Sequence, residues 1–172
     1  IRNPKPCPLL EVLDPGVFEV RELANNVDLR NSLPRYRIWI EGKLVSEPGD
    51  ILEYWRVDLV SFLLGCSFSF EAALQDKGIS IGHLEQRRNV SMYRTNLPTI
   101  QAGRLRGPLV VSMRPVAEVD VESVKAISSR FKASHGMPVH VGDPSQIGIQ
   151  DLSKPDYGDA VSLQPGDVPV FW

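Results

Sequence analysis

The sequence predicts a mixed α and β fold, with helices packed on one or more small sheets. Three observations carry this. Short segments repeat the two-residue period of a half-buried strand, and others place apolar residues at helical spacing. In addition, 14 prolines and 13 glycines in 172 residues cut the chain into short elements. Hydrophobic residues at 42% and charged residues at 23% give the balance of a globular chain. A chain of this length can build a core without disulfides or metal. The formal charge of −2 argues against a dedicated nucleic-acid binder, whose affinity comes from neutralising phosphates. The longest apolar stretch, Val57 to Phe70, is interrupted by Asp58 and serines, which argues against a membrane span.

The elements follow in order. Arg2 to Pro8 carries three prolines and reads as extended. Asp14-Pro15-Gly16 is a turn, and Phe18 to Val20 alternates like a strand. Asn25 to Ser32 is a polar loop. Tyr36, Ile38 and Ile40, then Glu41-Gly42, then Leu44 and Val45 predict a hairpin. Asp50 caps a predicted amphipathic helix over Ile51 to Leu64, ended by Gly65. Ser67 or Ser69 caps a second helix running to about Lys77, with Gly78 past its end. Arg87 to Arg106 is polar and aperiodic and reads as a loop. Leu109 to Met113 is a buried strand bounded by Gly107-Pro108 and Pro115. Asp120 caps a helix with Val121, Val124, Ile127 and Phe131 on one face, and Gly136 follows it. Val139 to Val141 is the next strand, completing a strand–helix–strand unit. Short strands are expected over Ala160 to Leu163 and Val168 to Trp172. The chain starts at Ile1 and stops on an apolar Val-Phe-Trp run, and both ends read as cut points in a longer protein.

Several groups of residues can carry chemistry. Cys66 lies between a glycine and a predicted helix start, where unsatisfied N–H groups favour thiolate. Ser67, Ser69 and the same N–H groups could instead hold a carboxylate; the plainer reading is serine caps and a buried thiol. Tyr93, Arg94 and Asn96 gather a phenol, a guanidinium and an amide in one stretch. Arg binds carboxylates bidentately and Tyr can donate a proton; the plainer reading is a solvated loop. Arg114 and Asp143 each follow a strand, where open sheets place ligands, or form a structural ion pair. His140 faces away from its flanking valines, toward a site or solvent. Asp156 and Asp159 are paired carboxylates or turn-formers. The histidines lack metal-motif spacing and no Cys-x-x-Cys is present, so no zinc is expected. Phosphate-binding glycine loops are missing from the sequence, so nucleotide cofactors have no support and no cofactor is expected. Two cysteines are too few for a secreted disulfide framework and fit reduced thiols in a cytoplasmic protein, or a mitochondrial one if eukaryotic.

Seven motifs run through the chain in order: Asn3 to Leu10, Asp58 to Glu71, Met92 to Asn96, Gly107 to Pro115, Pro138 to Pro144, Lys154 to Asp159 and Val168 to Trp172. Together they resemble the D-glutamate cyclase family, whose bacterial members carry the name hydro-lyase. Met92 to Asn96 resembles the bacterial-type branch. Family members extend beyond both ends of this chain. The resemblance implies a lyase that removes water from a small acid; for the eukaryotic cyclase that is closure of D-glutamate to 5-oxo-D-proline. It also implies two small α+β subdomains with the site between them, here 1–85 with 151–172 and 86–150. Ring closure needs an anchor for the α-carboxylate, a base near the amine and donors around the developing oxyanion. On that basis Arg94 and Arg114 bind carboxylates, and Ser67, Ser69 and Asn96 supply donors. Asp143 or His140 takes the amine proton, and Tyr93 or Asp159 assists loss of water. Cys66 is a donor before it is a thioester former. The expected partner is a small carboxylic or amino acid, with no nucleic acid and no membrane, and a homo-oligomer is left open. The rival function is a non-catalytic module that binds small carboxylates and regulates a linked enzyme. Convergence of Arg94, Arg114, His140, Asp143 and Asp159 on one pocket discriminates the two.

Overall fold

The computed structural model describes residues 2–172. Its packing divides the chain into two compact units, Leu9–Leu64 and a second made of Gly65–Trp172 with the segment up to Pro8. The sequence groups 1–85 with 151–172 as one subdomain and 86–150 as another. One sheet joins residues of both stretches, as described below.

The first unit holds two small sheets. β1 (Leu9–Leu13) pairs antiparallel with β4 (Ser61–Leu64), and β2 (Ile38–Ile40) pairs antiparallel with β3 (Lys43–Ser46). The β2–β3 hairpin is the predicted one. Its two connecting residues both have positive φ, Glu41 at 51° and Gly42 at 78°, as a two-residue hairpin turn requires. The Asp14-Pro15-Gly16 turn also forms, with Val17 N–H donating to Asp14 C=O at 3.0 Å. Phe18 to Val20 does not extend into a strand; Glu19 makes only an isolated bridge to Asp28.

The predicted helix over Ile51 to Leu64 does not form. Asp50 does accept a hydrogen bond from Leu52 N–H at 3.1 Å, but only a single 3₁₀ turn follows, Leu52–Tyr54, with Ile51 at its N-cap. The chain then extends into β4, whose partner residues run from Leu9↔Leu64 to Leu13↔Ser61. The apolar spacing of Ile51 to Leu64 suits a helix, yet β1 offers a row of backbone groups that must be paired. A long-range partner overrides a local pattern.

In the second unit a 3₁₀ turn, Ser67–Phe70, runs into α1 (Glu71–Gln75), followed by α2 (Gly82–Glu85). This is the predicted second helix, and Gly78 ends it at φ 73°. A four-stranded sheet follows, ordered β5 (Ser91–Pro98), β6 (Pro108–Ala117), β8 (Asp167–Phe171) and β7 (His140–Val141), with all three pairings antiparallel. The predicted helix is α3 (Val121–Ser129); Asp120 stands at its N-cap but its side chain makes no capping hydrogen bond, and Phe131 lies beyond its end. The strand–helix–strand unit therefore runs β6–α3–β7. β6 and β7 lie parallel, and β8 is inserted between them. The expected strand over Ala160 to Leu163 is absent; Val168 to Trp172 forms β8.

Two elements differ from the sequence reading for identifiable reasons. β5 falls in the stretch read as a loop. Its inward row is Ser91, Tyr93 and Thr95, so the alternation is written in hydroxyl residues rather than aliphatic ones. Each hydroxyl is satisfied: Ser91 Oγ donates to Asp159 C=O at 2.5 Å, Tyr93 OH to Leu152 C=O at 2.7 Å and Thr95 Oγ1 to Leu109 C=O at 2.8 Å. β6 runs straight through Pro115, which was expected to bound it. Ser112 and Trp172 exchange both backbone hydrogen bonds, at 2.7 and 2.9 Å. Ladder bonds between β6 and β8 therefore fall at Ser112, Arg114 and Val116. Pro115 lies opposite Pro169, at a pair where that ladder needs no N–H.

Both faces of the sheet are covered. On one side Phe70, Leu74, Val116, Val124, Ile127, Val170 and Trp172 pack together; on the other Tyr93, Val111, Met113, Ile147, Ile149 and Phe171. Arg2 to Pro8 is turned rather than extended, with Cys7 N–H donating to Asn3 C=O at 3.0 Å. Among the described residues, no helix is long and apolar enough to cross a membrane.

Candidate active site

Arg114 is the largest fully buried side chain, at 1% exposure. It projects from β6 on the same face as Ser112, because strand residues two apart share a face. Ser67 and Glu71 lie four apart where the 3₁₀ turn runs into α1, so they share a side as well. The two pairs meet. Arg114 Nε donates to Glu71 Oε1 at 2.8 Å, and Nη2 donates to the same oxygen. Nη2 also reaches Ser67 Oγ at 3.1 Å, Nη1 reaches Ser112 Oγ at 3.2 Å, and Ser112 Oγ donates to Ser67 Oγ at 3.4 Å. Aromatic faces surround the guanidinium, with ring centroids of Phe70, Trp172 and Phe68 at 5.1, 5.5 and 6.0 Å.

From α2, His83 completes the group. Its Nε2 lies 3.4 Å from Glu71 Oε1. Burial pushes the imidazole below its ordinary pKa; Glu71 opposes this and Arg114 adds to it. His83 is therefore neutral at pH 7, and its approach to Glu71 is not an ion pair. Burial also pushes the Arg114 guanidinium below its ordinary value, with Glu71 pulling it back. It starts so high that it stays charged. Two buried polar atoms here, His83 Nδ1 and Trp172 Nε1, have no hydrogen-bond partner among the described residues. The cluster is thus a charged guanidinium held on one side by a carboxylate, with two hydroxyls on the other. Ser112 is half-buried and the neighbouring Cys66 is exposed.

The other sequence-predicted residues lie in separate networks. Exposed Arg94 on β5 donates through Nη2 to Tyr157 OH at 2.7 Å, and its backbone N–H donates to Asp156 Oδ2 at 2.8 Å. Tyr93, on the opposite face of β5, is buried against Phe171, and burial raises its pKa. Asn96 packs against Gly148, where a Cβ would come within 2.9 Å of its own Cβ. Asp143 accepts from Ser145 N–H at 2.9 Å and caps the 3₁₀ turn Pro144–Ile147, and that contact lowers its pKa. His140 Nε2 lies 2.8 Å from Asp143 C=O, and its ring packs on Phe171. Asp159 accepts from Asn89 N–H at 2.7 Å. Ser69 lies within the 3₁₀ turn and is exposed. Hydrogen bonding therefore joins Arg114 to Ser67, but not to Arg94, His140, Asp143 or Asp159.

Glu71, His83 and Ser112 were missed as site residues. The signal for Glu71 and Ser112 was available as the i,i+4 and i,i+2 spacings from Ser67 and Arg114. His83 had no such signal, because its element reaches Glu71 only through tertiary packing.

The D-glutamate cyclase family model matches residues 60–172, a span that contains every member of the Arg114 cluster. The chain belongs to the D-glutamate cyclase family. Relatives from Bordetella petrii and Corynebacterium urealyticum are each 56% identical over 171 residues, covering 99% of this chain and 65% of theirs. One from Geobacillus kaustophilus is 51% identical with the same coverage. All three are named "Putative hydro-lyase". The chain spans about two thirds of the length of these family members, 65% in each of the three.

Proposed function

We propose that this chain carries the reaction centre of a hydro-lyase acting on a small amino or hydroxy acid, with cyclisation of D-glutamate to 5-oxo-D-proline as its reaction. One observation carries the reading: the matched family span encloses a buried guanidinium that polarises two serine hydroxyls. In cyclisation the amine nitrogen bonds to the carbon of the γ-carboxyl group, and one carbon–oxygen bond of that carboxyl breaks. The departing oxygen leaves as water, taking up the two protons that the substrate ammonium loses. Negative charge builds on the γ-carboxyl oxygen on the way. Donors preorganised in a dry setting stabilise such charge, and a hydroxyl already bonded to a guanidinium is a stronger donor. Ser112, which is half-buried, is the member placed to meet substrate, its hydroxyl turning from the long 3.4 Å bond to Ser67 to do so. Arg114 acts through Ser112 and Ser67, and Glu71 holds Arg114 in place. His83, neutral and with Nδ1 unpartnered, is the candidate proton acceptor. Arg94 remains a candidate second anchor for a carboxylate. Both cysteines are unpaired, which supports a reducing, cytoplasmic setting.

The test is incubation of the full-length protein with D- and L-glutamate and with a panel of small amino and hydroxy acids, followed by mass spectrometry. The expected result is 5-oxo-D-proline from D-glutamate and a fall in kcat of about 10²–10³ in Ser112→Ala, the effect of one lost oxyanion donor. A dehydrated product from another acid would retain the lyase and replace the substrate. Binding without loss of water from any acid would overturn the lyase.

A further inference from the structure

The Asn3 to Leu10 motif has no part in the Arg114 cluster, yet its first residues are firmly held. Asn3 Nδ2 donates to Ile100 C=O and Ile100 N–H donates to Asn3 Oδ1, both at 2.8 Å. Lys5 Nζ donates to the carbonyls of His135, at 3.1 Å, and Met137. The loop opposite is closed on itself. Thr99 donates through N–H and Oγ1 to Gly107 C=O at 3.1 and 2.7 Å, and Ala102 and Leu105 exchange backbone bonds at 3.0 Å.

Between these two fastened segments lies a cleft of about 480 Å³, within the range of small-molecule sites. Arg2 and Arg106 both line it, while Pro6, Ile100, Leu105 and Val110 supply apolar wall. No aspartate or glutamate lines it. Neither arginine forms an ion pair among the described residues. Two guanidinium groups without a counter-charge, facing an aliphatic wall, suit one chemistry: a short aliphatic acid with a carboxylate at each end. The wall takes the methylenes, and hydrogen bonds fix the backbone that carries both cations, which lowers the ordering cost of binding.

We infer that this cleft is a binding site for small aliphatic dicarboxylates, built by Arg2 and Arg106. The inference does not rest on the hydro-lyase reading, since glutarate, which has no amine to cyclise, serves as the probe. Calorimetric titration of the full-length protein with glutarate should give saturable binding. The neutral isostere glutaramide should not bind. Arg106→Gln and Arg2→Gln should each weaken glutarate binding at least about tenfold, whereas Arg88→Gln, which removes the same charge elsewhere, should leave it unchanged. All three arginines are exposed, so the variants keep the fold, and an unchanged circular dichroism spectrum verifies it. Three results would each overturn the inference: no binding of glutarate at millimolar concentration, equal binding of glutaramide, or binding indifferent to both Arg2 and Arg106.

Discussion

A guanidinium stays charged even out of water, so its burial is tolerated only where a carboxylate goes with it, and Glu71 is that carboxylate for Arg114. Removing one partner of a buried pair strands the other, at a cost of about 3–5 kcal/mol. Glu71→Ala should therefore move the urea midpoint down by that equivalent. The double variant Glu71→Ala with Arg114→Met should recover part of the loss, because no charge is then stranded. A double variant as unstable as the sum of its singles would show that the pair is not coupled. His83 carries a second consequence. Its native pKa lies below the value in the unfolded chain, chiefly through burial. The unfolded chain then takes up the proton more readily, so acid favours unfolding. The His83 contribution is whole above the ordinary histidine value, about 6.5, and is lost as pH falls through the lowered native value. Wild-type stability should drop more steeply below pH 6.5 than that of His83→Gln, measured as urea midpoints across pH 7 to 5. Parallel curves would mean that His83 titrates alike in both states.

At the scale of elements, those set by neighbours in sequence were readable and those set by distant partners were not. The β2–β3 hairpin follows from Glu41-Gly42, and α3 from one apolar stripe starting after Asp120. β4 could not be told from a helix until β1 was known to lie beside it. β5 hid its alternation in Ser91, Tyr93 and Thr95, whose burial depends on carbonyls up to 68 residues away in sequence. The same split governs the site. Ser67 with Glu71 and Ser112 with Arg114 are each local spacings, while their meeting is a tertiary fact. Gly158 shows how tightly one such distant contact is built. Tyr157 and Met92 exchange backbone bonds at 2.9 and 3.2 Å, and a Cβ on Gly158, at φ 74°, would sit 2.0 Å from Val90 C=O. Gly158→Ala should push this segment off β5 and cost about 1–3 kcal/mol or more, by overpacking and backbone strain together. Differential scanning calorimetry should register about 2–4 °C of lost Tm for each kcal/mol in a chain of this size. An unchanged Tm would mean that the Lys154 to Asp159 segment adapts freely.

Across the whole molecule, burial is distributed unevenly. Within Leu9–Leu64 the buried apolar side chains are Leu13, Val20 and Tyr36, while Trp39, Ile40, Val45 and Phe62 are each more than half exposed. The other unit holds both apolar clusters and the four-stranded sheet. Two-stranded sheets with little buried apolar area are marginal by themselves, and a unit of this size buries a small share of its surface. Local opening costs least where few apolar groups are buried. Amide exchange should therefore be fast in β2, β3 and β4, and slow in the β6 and β8 amides that share ladder bonds, Arg114 and Val116 with Val168 and Val170. The difference between the two sets should reach at least about tenfold in protection, which is 1.4 kcal/mol of opening free energy. Exchange mass spectrometry on the intact chain reads both sets in one experiment. Equal protection would show that the Leu9–Leu64 unit shares the stability of the sheet that carries Arg114. Loss of protection in β6 and β8 alone would place the weak point at the buried charge pair itself.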